Sequence, residues 1–330
     1  MTFAAQDAAS WLANPRATRE TLEAFGLATK HRLGQNFLVE DNIIRKIIRL
    51  AELTSDDVVL EVGPGLGTLT VAMLDYVRAV CSIEADRELE GVLAATCKEP
   101  HQDSFVLCMG DALKATPQLV GDAYASLGVF ADAQSKEASG ALIGPNKFVS
   151  NLPYQVAATL ILLFFQEFAT LEQAVVMVQA EVADRIAAKP GTKAYGAYTA
   201  KLALYAQVSG RFEVAPGNFM PPPRVNSAVV RLERAPMTDP SGTGVLTSEQ
   251  LAWATRVIDA AFAQRRKTIR NSMGASGFKK DTLERALLAA HIEPTVRAEA
   301  LGVKDFVRLA MALAEGGTYG EETTFVHGRR

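Results

Sequence analysis

The chain has 330 residues, with 34 Lys and Arg against 37 Asp and Glu, so its formal net charge is −3. Hydrophobic residues make up 48% and charged residues 22% of the sequence, which is typical of folded globular proteins and excludes wholesale disorder. A uniformly basic nucleic-acid-binding protein is also excluded, so any contact with nucleic acid must rest on local basic patches. The length predicts two domains, or one large and one small.

Three cysteines are present, Cys81, Cys97 and Cys108. They form no C-x-x-C pair and are too few for a zinc ribbon, so the sequence predicts no metal site. So sparse a set of thiols suits a reducing cytosol. The N-terminal residues show no basic start followed by an apolar stretch, as a signal peptide would. The longest nearly apolar run, Val156 to Phe165, is too short to cross a bilayer, so we expect a soluble, cytoplasmic protein.

Helical and strand patterns alternate after an Ala-rich, weakly patterned N-terminal extension, residues 1–29, with a possible single helix. The predicted elements are, in order, a helix within 36–53, a strand at 58–62, a helix near 67–76, a strand at 79–84, a helix at 86–98 and a strand at 104–109. Strands separated by helical patterns of roughly 10–15 residues are typical of βαβ units. The sequence therefore predicts an α/β fold with a parallel sheet.

The alternation is interrupted at Gly121–Pro145, which is interpreted as an inserted surface loop. Further strands are predicted at 147–150, 173–179, 206–214 and 226–233, with a helix after Asn151. A linker rich in Pro, Gly and Ser is predicted at 236–246, followed by an all-helical stretch at 247–315 and a tail at 316–330. We therefore predict an α/β domain over 30–235 and a smaller helical domain over 247–315.

A glycine-rich loop, Glu61-Val62-Gly63-Pro64-Gly65-Leu66-Gly67, joins the first of these strands to the next helix. Glycine lets the backbone turn sharply and lets a ligand approach without a Cβ in the way. The loop departs from the dinucleotide fingerprint, because Thr68 stands where that pattern has its last glycine and Pro64 has no N–H for a pyrophosphate. A plain tight turn is the alternative interpretation.

Two acids end the next two strands. Glu84 stands where a carboxylate can accept both hydroxyls of a ribose, and Asp111 could accept a hydrogen bond from an adenine amino group. Either acid alone could instead be a solvated strand end or a helix cap. Together with the glycine loop they indicate a nucleoside pocket without a phosphate site, which S-adenosylmethionine fits better than NAD.

The fourth strand is followed by Asn151-Leu152-Pro153-Tyr154, which is either a strand-ending turn or a site for methylating a base amino group. An exocyclic amino nitrogen is a poor nucleophile because its lone pair is delocalised into the ring, and two hydrogen-bond acceptors can draw it toward tetrahedral geometry. The Asn151 side-chain oxygen and the Leu152 carbonyl offer two such acceptors, and Pro153 restricts that carbonyl. Tyr154 offers a ring on which an extruded base can stack.

With these motifs, the chain resembles the ribosomal RNA adenine dimethyltransferases of the bacterial small subunit. The resemblance extends from about Lys30 to Ala314, and its segments are Leu33-Gly34-Gln35-Asn36-Phe37-Leu38, Glu61 to Gly67, Glu84, Gly110-Asp111-Ala112, Asn151 to Tyr154, Asn218 to Ser227 and Phe262 to Lys267. It implies a Rossmann-like class I methyltransferase sheet, S-adenosylmethionine as methyl donor and S-adenosylhomocysteine as product. It also implies a monomer that N6-dimethylates two adjacent adenosines in the 3′-terminal hairpin loop of 16S rRNA, late in small-subunit biogenesis.

The resemblance implies roles for individual residues as well. The cofactor-binding set is Asn36, Leu38, Gly63, Gly65, Glu84, Asp111, Ala112 and Asn151. The catalytic set is Asn151, Leu152, Pro153, Tyr154 and Phe219. In this set Phe219 is expected to be a second aromatic ring near the target base, with a core position as the alternative.

Basic residues concentrate in one acid-free stretch, 261–280. The predicted RNA-binding residues are Arg265, Arg266, Lys267 and Arg270 from this stretch, and Arg224 after the proline run. A charge run is more often a solvated face, but basic patches on a net acidic protein favour contacts with RNA phosphates. Selectivity is then expected from RNA shape and unstacked loop bases.

Other functions are compatible with parts of this pattern. Large-subunit rRNA adenine methyltransferases share the cofactor motifs, whereas DNA adenine methyltransferases usually carry Asp at the first position of the turn. A non-catalytic assembly factor on the same fold would be expected to lose Asn151, Tyr154 or Glu84, and all three are present. A nicotinamide dehydrogenase is disfavoured by the glycine pattern.

Overall fold

The computed structural model describes residues 9–27, 35–130, 143–242 and 244–315. The chain divides into two compact units. The first comprises Met1–Ala183 with Val208–Arg234, and the second comprises Asp184–Gln207 with Ala235–Arg330. No helix within the described ranges combines the length and apolarity needed to cross a membrane.

A mixed β-sheet forms the centre of the first unit. Its strands are β2 (Val58–Val62), β3 (Ala79–Glu84), β4 (Phe105–Met109), β5 (Lys147–Asn151), β6 (Gln173–Gln179), β7 (Ala206–Val214) and β9 (Ser227–Arg234). Their order in the described sheet is β4-β3-β2-β5-β6-β9-β7. Strands β2 to β6 pair in parallel, as the alternating pattern predicted, and β9 pairs antiparallel with β6. Two short strands, β1 (Phe37–Leu38) and β8 (Phe219–Met220), pair separately.

Helices connect the strands of the first unit and form most of the second. In the first unit they are α1 (Pro15–Ala24), α2 (Asp41–Ala51), α3 (Thr68–Leu74), α4 (Glu90–Leu93), α5 (Pro117–Ala125) and α6 (Ala157–Glu167). The next helix, α7 (Ala180–Ile186), contains the boundary between the units. The second unit has α8 (Ala197–Leu202), α9 (Ser248–Phe262), α10 (Ile269–Ala275), α11 (Lys280–Ala289) and α12 (Val303–Leu313).

Hydrophobic periodicity explains how α2 packs, since its four isoleucines at 43, 44, 47 and 48 are all buried. The helix starts at the Glu40 cap, whose side chain accepts the Asn42 N–H at 3.3 Å. At its other end the Lys147 ammonium donates to the carbonyls of Ala51 and Glu52, at 2.6 and 2.8 Å. Polar contacts at both ends thus fix α2, the helix that follows the segment Gln35–Leu38.

The segment 184–207 groups with the C-terminal helices, although the sequence assigned it to the α/β domain. Its side chains explain the difference. Lys201 forms an ion pair with Asp259 at 2.7 Å, and the Tyr195 ring lies 6.1 Å from the Phe262 ring, centroid to centroid. These partners lie far downstream in the sequence, so a local pattern does not reveal them.

The interpretation of Gly121–Pro145 as a surface loop is wrong for residues 121–130. This part completes α5 and a short 3₁₀ helix, Gly128–Phe130. Tyr124 is fully buried, and its hydroxyl donates to the Val59 carbonyl at 2.6 Å. Residues 131–142 lie outside the described ranges. The polar and small residues of α5 concealed a helix that packs against the sheet.

One further element differs from the predicted pattern. The predicted helix at 86–98 is divided into a 3₁₀ turn (Arg87–Leu89), α4 and a π-helical turn (Ala94–Lys98). The described part of the N-terminal extension contains the predicted single helix, α1, and packs within the first unit, with Leu12 and Leu22 buried and the Ser10 N–H donating to Asp41 at 3.0 Å.

Candidate functional site

A cleft lies where the strand order of the sheet reverses. Strand β2 pairs with β3 on one side and with β5 on the other, so the connections leaving these strands diverge and open a crevice. A cavity of about 820 Å³ occupies this position. Residues at the carboxyl ends of β2, β3, β4 and β5 line it, together with Gln35, Asn36, Phe37 and Leu38.

Three glycines after β2 adopt left-handed backbone torsions, with φ of +67° at Gly63, +63° at Gly65 and +89° at Gly67. Neighbouring rings approach two of them closely. A Cβ added at Gly63 would lie 3.2 Å from Pro153 Cγ, and one at Gly65 would lie 3.2 Å from Phe37 Cε1. The loop is therefore packed between the turn after β5 and the segment before α2.

The N–H groups of these three glycines already have acceptors within the protein. The Gly63 N–H donates to the Ile83 carbonyl at 2.9 Å, and the Gly65 N–H donates to the Glu84 carboxylate. The Gly67 N–H donates to the Pro64 carbonyl at 2.9 Å. A dinucleotide site uses such backbone donors to bind its pyrophosphate. This loop shapes a ligand pocket but keeps no glycine N–H for a phosphate group.

Two buried glutamates beside the loop have raised pKa values. Burial raises the pKa of Glu84, at the end of β3, although three backbone N–H groups donate to its carboxylate and act in the opposite direction. Burial also raises the pKa of Glu61 to about 7, against the effect of hydrogen bonds from Thr70 and Ser82, each 2.7 Å from Oε2. Glu61 therefore titrates near neutral pH.

The charged residues in the described lining of the cleft are all acidic. Asp111, which follows β4, is exposed, and its Oδ1 accepts the Leu113 N–H at 3.0 Å as a helix cap. The carboxylates of the lining are Glu61, Glu84, Asp86, Glu88 and Asp111. The described lining residues include no Lys, Arg or His. A cleft of this charge favours a cationic ligand and disfavours a phosphate.

The turn after β5 lies against the same cleft and is anchored at two points. Asn151, the last residue of β5, is half-buried, and the Leu152 N–H donates to the Met177 carbonyl at 3.1 Å. The Tyr154 hydroxyl is 2.6 Å from the Ser227 hydroxyl of β9. These two contacts fix the turn that carries the Asn151 side chain, the Leu152 carbonyl and the Tyr154 ring.

The cleft brings together nearly all the residues predicted for the site. Its lining includes Asn36, Leu38, Gly63, Gly65, Glu84, Asp111, Ala112, Asn151, Leu152, Pro153 and Tyr154. Phe219 is not part of this lining. It is 3% exposed, belongs to the hydrophobic core, and pairs through β8 with Leu38. The Phe219 ring therefore has no exposed face on which a base could stack. Phe219 is a core residue, which was the alternative predicted for it. Leu33 and Gly34 of the same motif set lie outside the described residues.

Comparison with known proteins shows the family to which this chain belongs. Residues 26–315 match the family described as "Ribosomal RNA adenine dimethylase". The chain belongs to this family. It is 38% identical over 307 residues to "Ribosomal RNA small subunit methyltransferase A" of Kineococcus radiotolerans, which covers 92% of this chain and 93% of that protein. A protein of the same name from Streptomyces coelicolor is 39% identical over 302 residues, covering 91% and 96%.

Solved structures show the same fold. A dimethyladenosine transferase from Plasmodium falciparum matches with a TM-score of 0.64 at 23% identity, covering 84% of this chain and 96% of that one. The 23S rRNA methyltransferase ErmE matches with a TM-score of 0.59 at 24% identity, covering 84% and 100%. The predicted fold and family are confirmed: the chain is an rRNA adenine dimethylase, an S-adenosylmethionine-dependent methyltransferase.

The basic residues predicted to bind RNA are in different environments in the dimethylase. Arg265 contacts Glu299 at 3.0 Å and also donates to the Lys193 and Tyr195 carbonyls, so it braces the second unit internally. Arg270 contacts Glu284 at 3.3 Å. All five predicted residues, including Arg224, Arg266 and Lys267, are exposed. The charge run thus contains structural as well as surface cations.

Sequence reasoning missed several residues that shape the cleft. Phe37 lies inside a recognised motif but was given no role, and it packs against Gly65. Gln35 donates to Asp86 at 3.0 Å, which links the segment before α2 to the residues after β3. Glu61 was visible as the first residue of the glycine-rich loop, but only its burial reveals its raised pKa.

Replacing Glu61 with Gln should remove a pH-dependent contribution to stability. The pKa of Glu61 is about 7 in the folded protein against an ordinary value of 4.5, so the folded state binds this proton more tightly. Its contribution is complete below pH 4.5 and is lost as the pH rises through 7. The stability of the wild type relative to Glu61→Gln is expected to fall by about 3 kcal/mol over this range.

Chemical unfolding of both proteins at a series of pH values measures this difference. Glu293→Gln, at an exposed position, serves as the matched control. A wild-type advantage that stays constant with pH would contradict the assignment.

Proposed function

We propose that this dimethylase transfers methyl groups from S-adenosylmethionine to N6 of two adjacent adenosines in the 3′-terminal hairpin loop of 16S rRNA, in the cytoplasm and late in small-subunit biogenesis. The contact between two motifs carries the proposal, since Pro153 of the turn packs against Gly63 of the loop. This contact supports a base site that adjoins the acidic cleft. The names of the similar proteins from Kineococcus radiotolerans and Streptomyces coelicolor support the small subunit as the target.

S-adenosylmethionine fits the cleft because its ammonium and sulfonium cations outweigh its single carboxylate, and because it carries no phosphate. Its counterparts are the acidic lining residues and a glycine loop whose glycine N–H groups already have acceptors in the protein. In the proposal Glu84 binds the ribose hydroxyls and Asp111 the adenine amino group. When bound, the cofactor supplies an electrophilic methyl group. The carboxylates attract the neutral product less than the cation, which favours product release.

The cofactor is further contacted, in the proposal, by residues on both sides of the glycine loop. These are Asn36, Leu38, Gly63, Gly65, Ala112 and Asn151, all of which line the cleft. Gly65 and Phe37 pack together, so the segment before α2 and the glycine loop form one continuous side of the cleft. The chemistry proposed needs no metal.

Catalysis in the proposal consists mainly of positioning the target nitrogen. The Asn151 side-chain oxygen and the Leu152 carbonyl accept the two N6 hydrogens and draw the nitrogen toward tetrahedral geometry, in line with the methyl group. Pro153 restricts the backbone that carries the Leu152 carbonyl. Tyr154 stacks on the extruded base, a contact worth about 1–3 kcal/mol. The proton leaves to water after transfer has made the nitrogen cationic.

Contacts with RNA phosphates are assigned to Arg224, Arg265, Arg266, Lys267 and Arg270. All five are exposed, as a contact with RNA requires. The ion pairs of Arg265 and Arg270 with glutamates make these two weaker candidates. The protein is proposed to act as a monomer on the small ribosomal subunit.

Transfer of labelled methyl from S-adenosylmethionine tests the target. The substrates are unmethylated small subunits, large-subunit RNA and duplex DNA, assayed in parallel. We expect N6-dimethyladenosine in small-subunit rRNA alone. Label in large-subunit RNA would instead assign the protein to the enzymes acting there. Absence of label with preserved binding to small subunits would indicate a non-catalytic assembly factor.

Asn151→Ala should lower the methyl-transfer rate by at least about 100-fold, because the target nitrogen loses one of its two acceptors and its alignment. Binding of S-adenosylmethionine, measured by calorimetry, should stay largely intact. Asn42→Ala, at an exposed position in α2, is the matched control and should keep wild-type rates. Full turnover by Asn151→Ala would refute the proposed role of the turn.

The double variant Arg266→Ala, Lys267→Ala should weaken binding to small subunits and reduce the salt slope of binding by about 2, roughly one for each lost phosphate contact. Lys98→Ala, exposed in the first unit, is the control and should leave the slope unchanged. Binding measured at several salt concentrations decides the matter. An unchanged slope in the double variant would mean that these cations belong to a solvated face.

A further inference from the structure

A buried serine contacts the hydroxyl group of Tyr154, the aromatic residue of the proposed base site. Ser227 is the first residue of β9 and is fully buried, and its hydroxyl lies 2.6 Å from the Tyr154 hydroxyl. Its backbone pairs with Gln179 in β6, and the Ala180 N–H donates to the neighbouring Asn226 carbonyl at 2.9 Å. The partner that Tyr154 contacts is therefore held rigidly by the sheet.

This contact restricts the orientation of the Tyr154 ring. The Tyr154 hydroxyl lies at the far end of the ring, so its contact with Ser227 limits rotation about the Cα–Cβ bond and fixes where the ring sits. Burial raises the pKa of Tyr154 above its usual value, so the phenol stays protonated and the hydrogen bond persists at neutral pH. Tyr154 is only half-buried, so the rest of its ring lies toward the cleft. A base stacks best on a ring whose position is held.

We infer that Ser227 is a positioning residue for methyl transfer, whose hydroxyl holds the Tyr154 ring at the place where the target adenine stacks. The inference rests on the proposed function of the Asn151–Tyr154 turn. Ser227 itself touches no substrate, because it is fully buried. Its effect is therefore expected in the rate of transfer and not in cofactor binding.

A mutant cycle isolates this contact. Ser227→Ala and Tyr154→Phe each remove one hydroxyl of the pair, and the double variant removes both. Two controls remove comparable buried hydrogen bonds elsewhere: Ser272→Ala, whose hydroxyl donates to Ala260, and Tyr124→Phe, whose hydroxyl donates to Val59. All variants are compared in kcat and KM with unmethylated small subunits, in the Kd for S-adenosylmethionine, and in Tm.

Each single variant at the pair is expected to lower kcat by about fivefold to tenfold, the loss of one net hydrogen bond. The Kd for S-adenosylmethionine should change less than twofold. The double variant should be no slower than either single variant, because both lose the same contact. Additive losses, unchanged kcat, or equal losses in the two controls would overturn the inference.

A second readout separates this inference from the proposed function. With ring-labelled tyrosine, the NMR signals of Tyr154, assigned by their loss in Tyr154→Phe, report the order of the ring without any substrate. Ser227→Ala should increase ring motion, whereas Ser272→Ala should not. An unchanged ring would overturn the inference even in an active enzyme. A wild type without methyl transfer to any substrate would instead refute the proposed function.

Discussion

Parallel pairing of β2 with both β3 and β5 is the constraint on which the site depends. Parallel strands end at the same edge of a sheet, so residues far apart in the sequence meet there. Glu61, Glu84, Asp111 and Asn151 belong to four different strand ends and line one cleft. The glycine loop and the Asn151–Tyr154 turn touch because the strands that they follow, β2 and β5, are neighbours in the sheet. A change in strand order would separate the carboxylates from the turn that is proposed to receive the base.

Electrostatics then selects the kind of ligand. The glycine loop looks like a dinucleotide loop in outline, yet the N–H groups of its three glycines are bound to acceptors of the protein. The lining carboxylates repel a phosphate and attract a cation. Burial of Glu61 makes part of this charge depend on pH, since its pKa is about 7. The same scaffold that serves dinucleotide enzymes thus favours a sulfonium cofactor through local hydrogen bonding and charge.

Prediction from sequence succeeded or failed for physical reasons that differ from residue to residue. Strand ends were predictable where a hydrophobic run is followed by Gly or ends in an acid, which is a local pattern, and β2 and β3 have the expected bounds. The environment of Phe219 was not, since an aromatic residue beside a turn has the same pattern whether exposed or buried. Arg265 was equally ambiguous, because its partner Glu299 lies in a distant segment. In 121–130, small and polar residues masked the buried anchor Tyr124.

By itself, the sequence determined the family, the alternation of strands and helices, and the residue types at the edge of the sheet. Ordered motifs and hydrophobic periodicity are properties of neighbouring residues, so they can be read without coordinates. Only the tertiary structure decided that the loop glycines keep no free N–H, that Glu61 is buried, and that the Ser227 and Tyr154 hydroxyls are 2.6 Å apart. These properties depend on burial and on distances between segments far apart along the chain, and a local pattern contains neither.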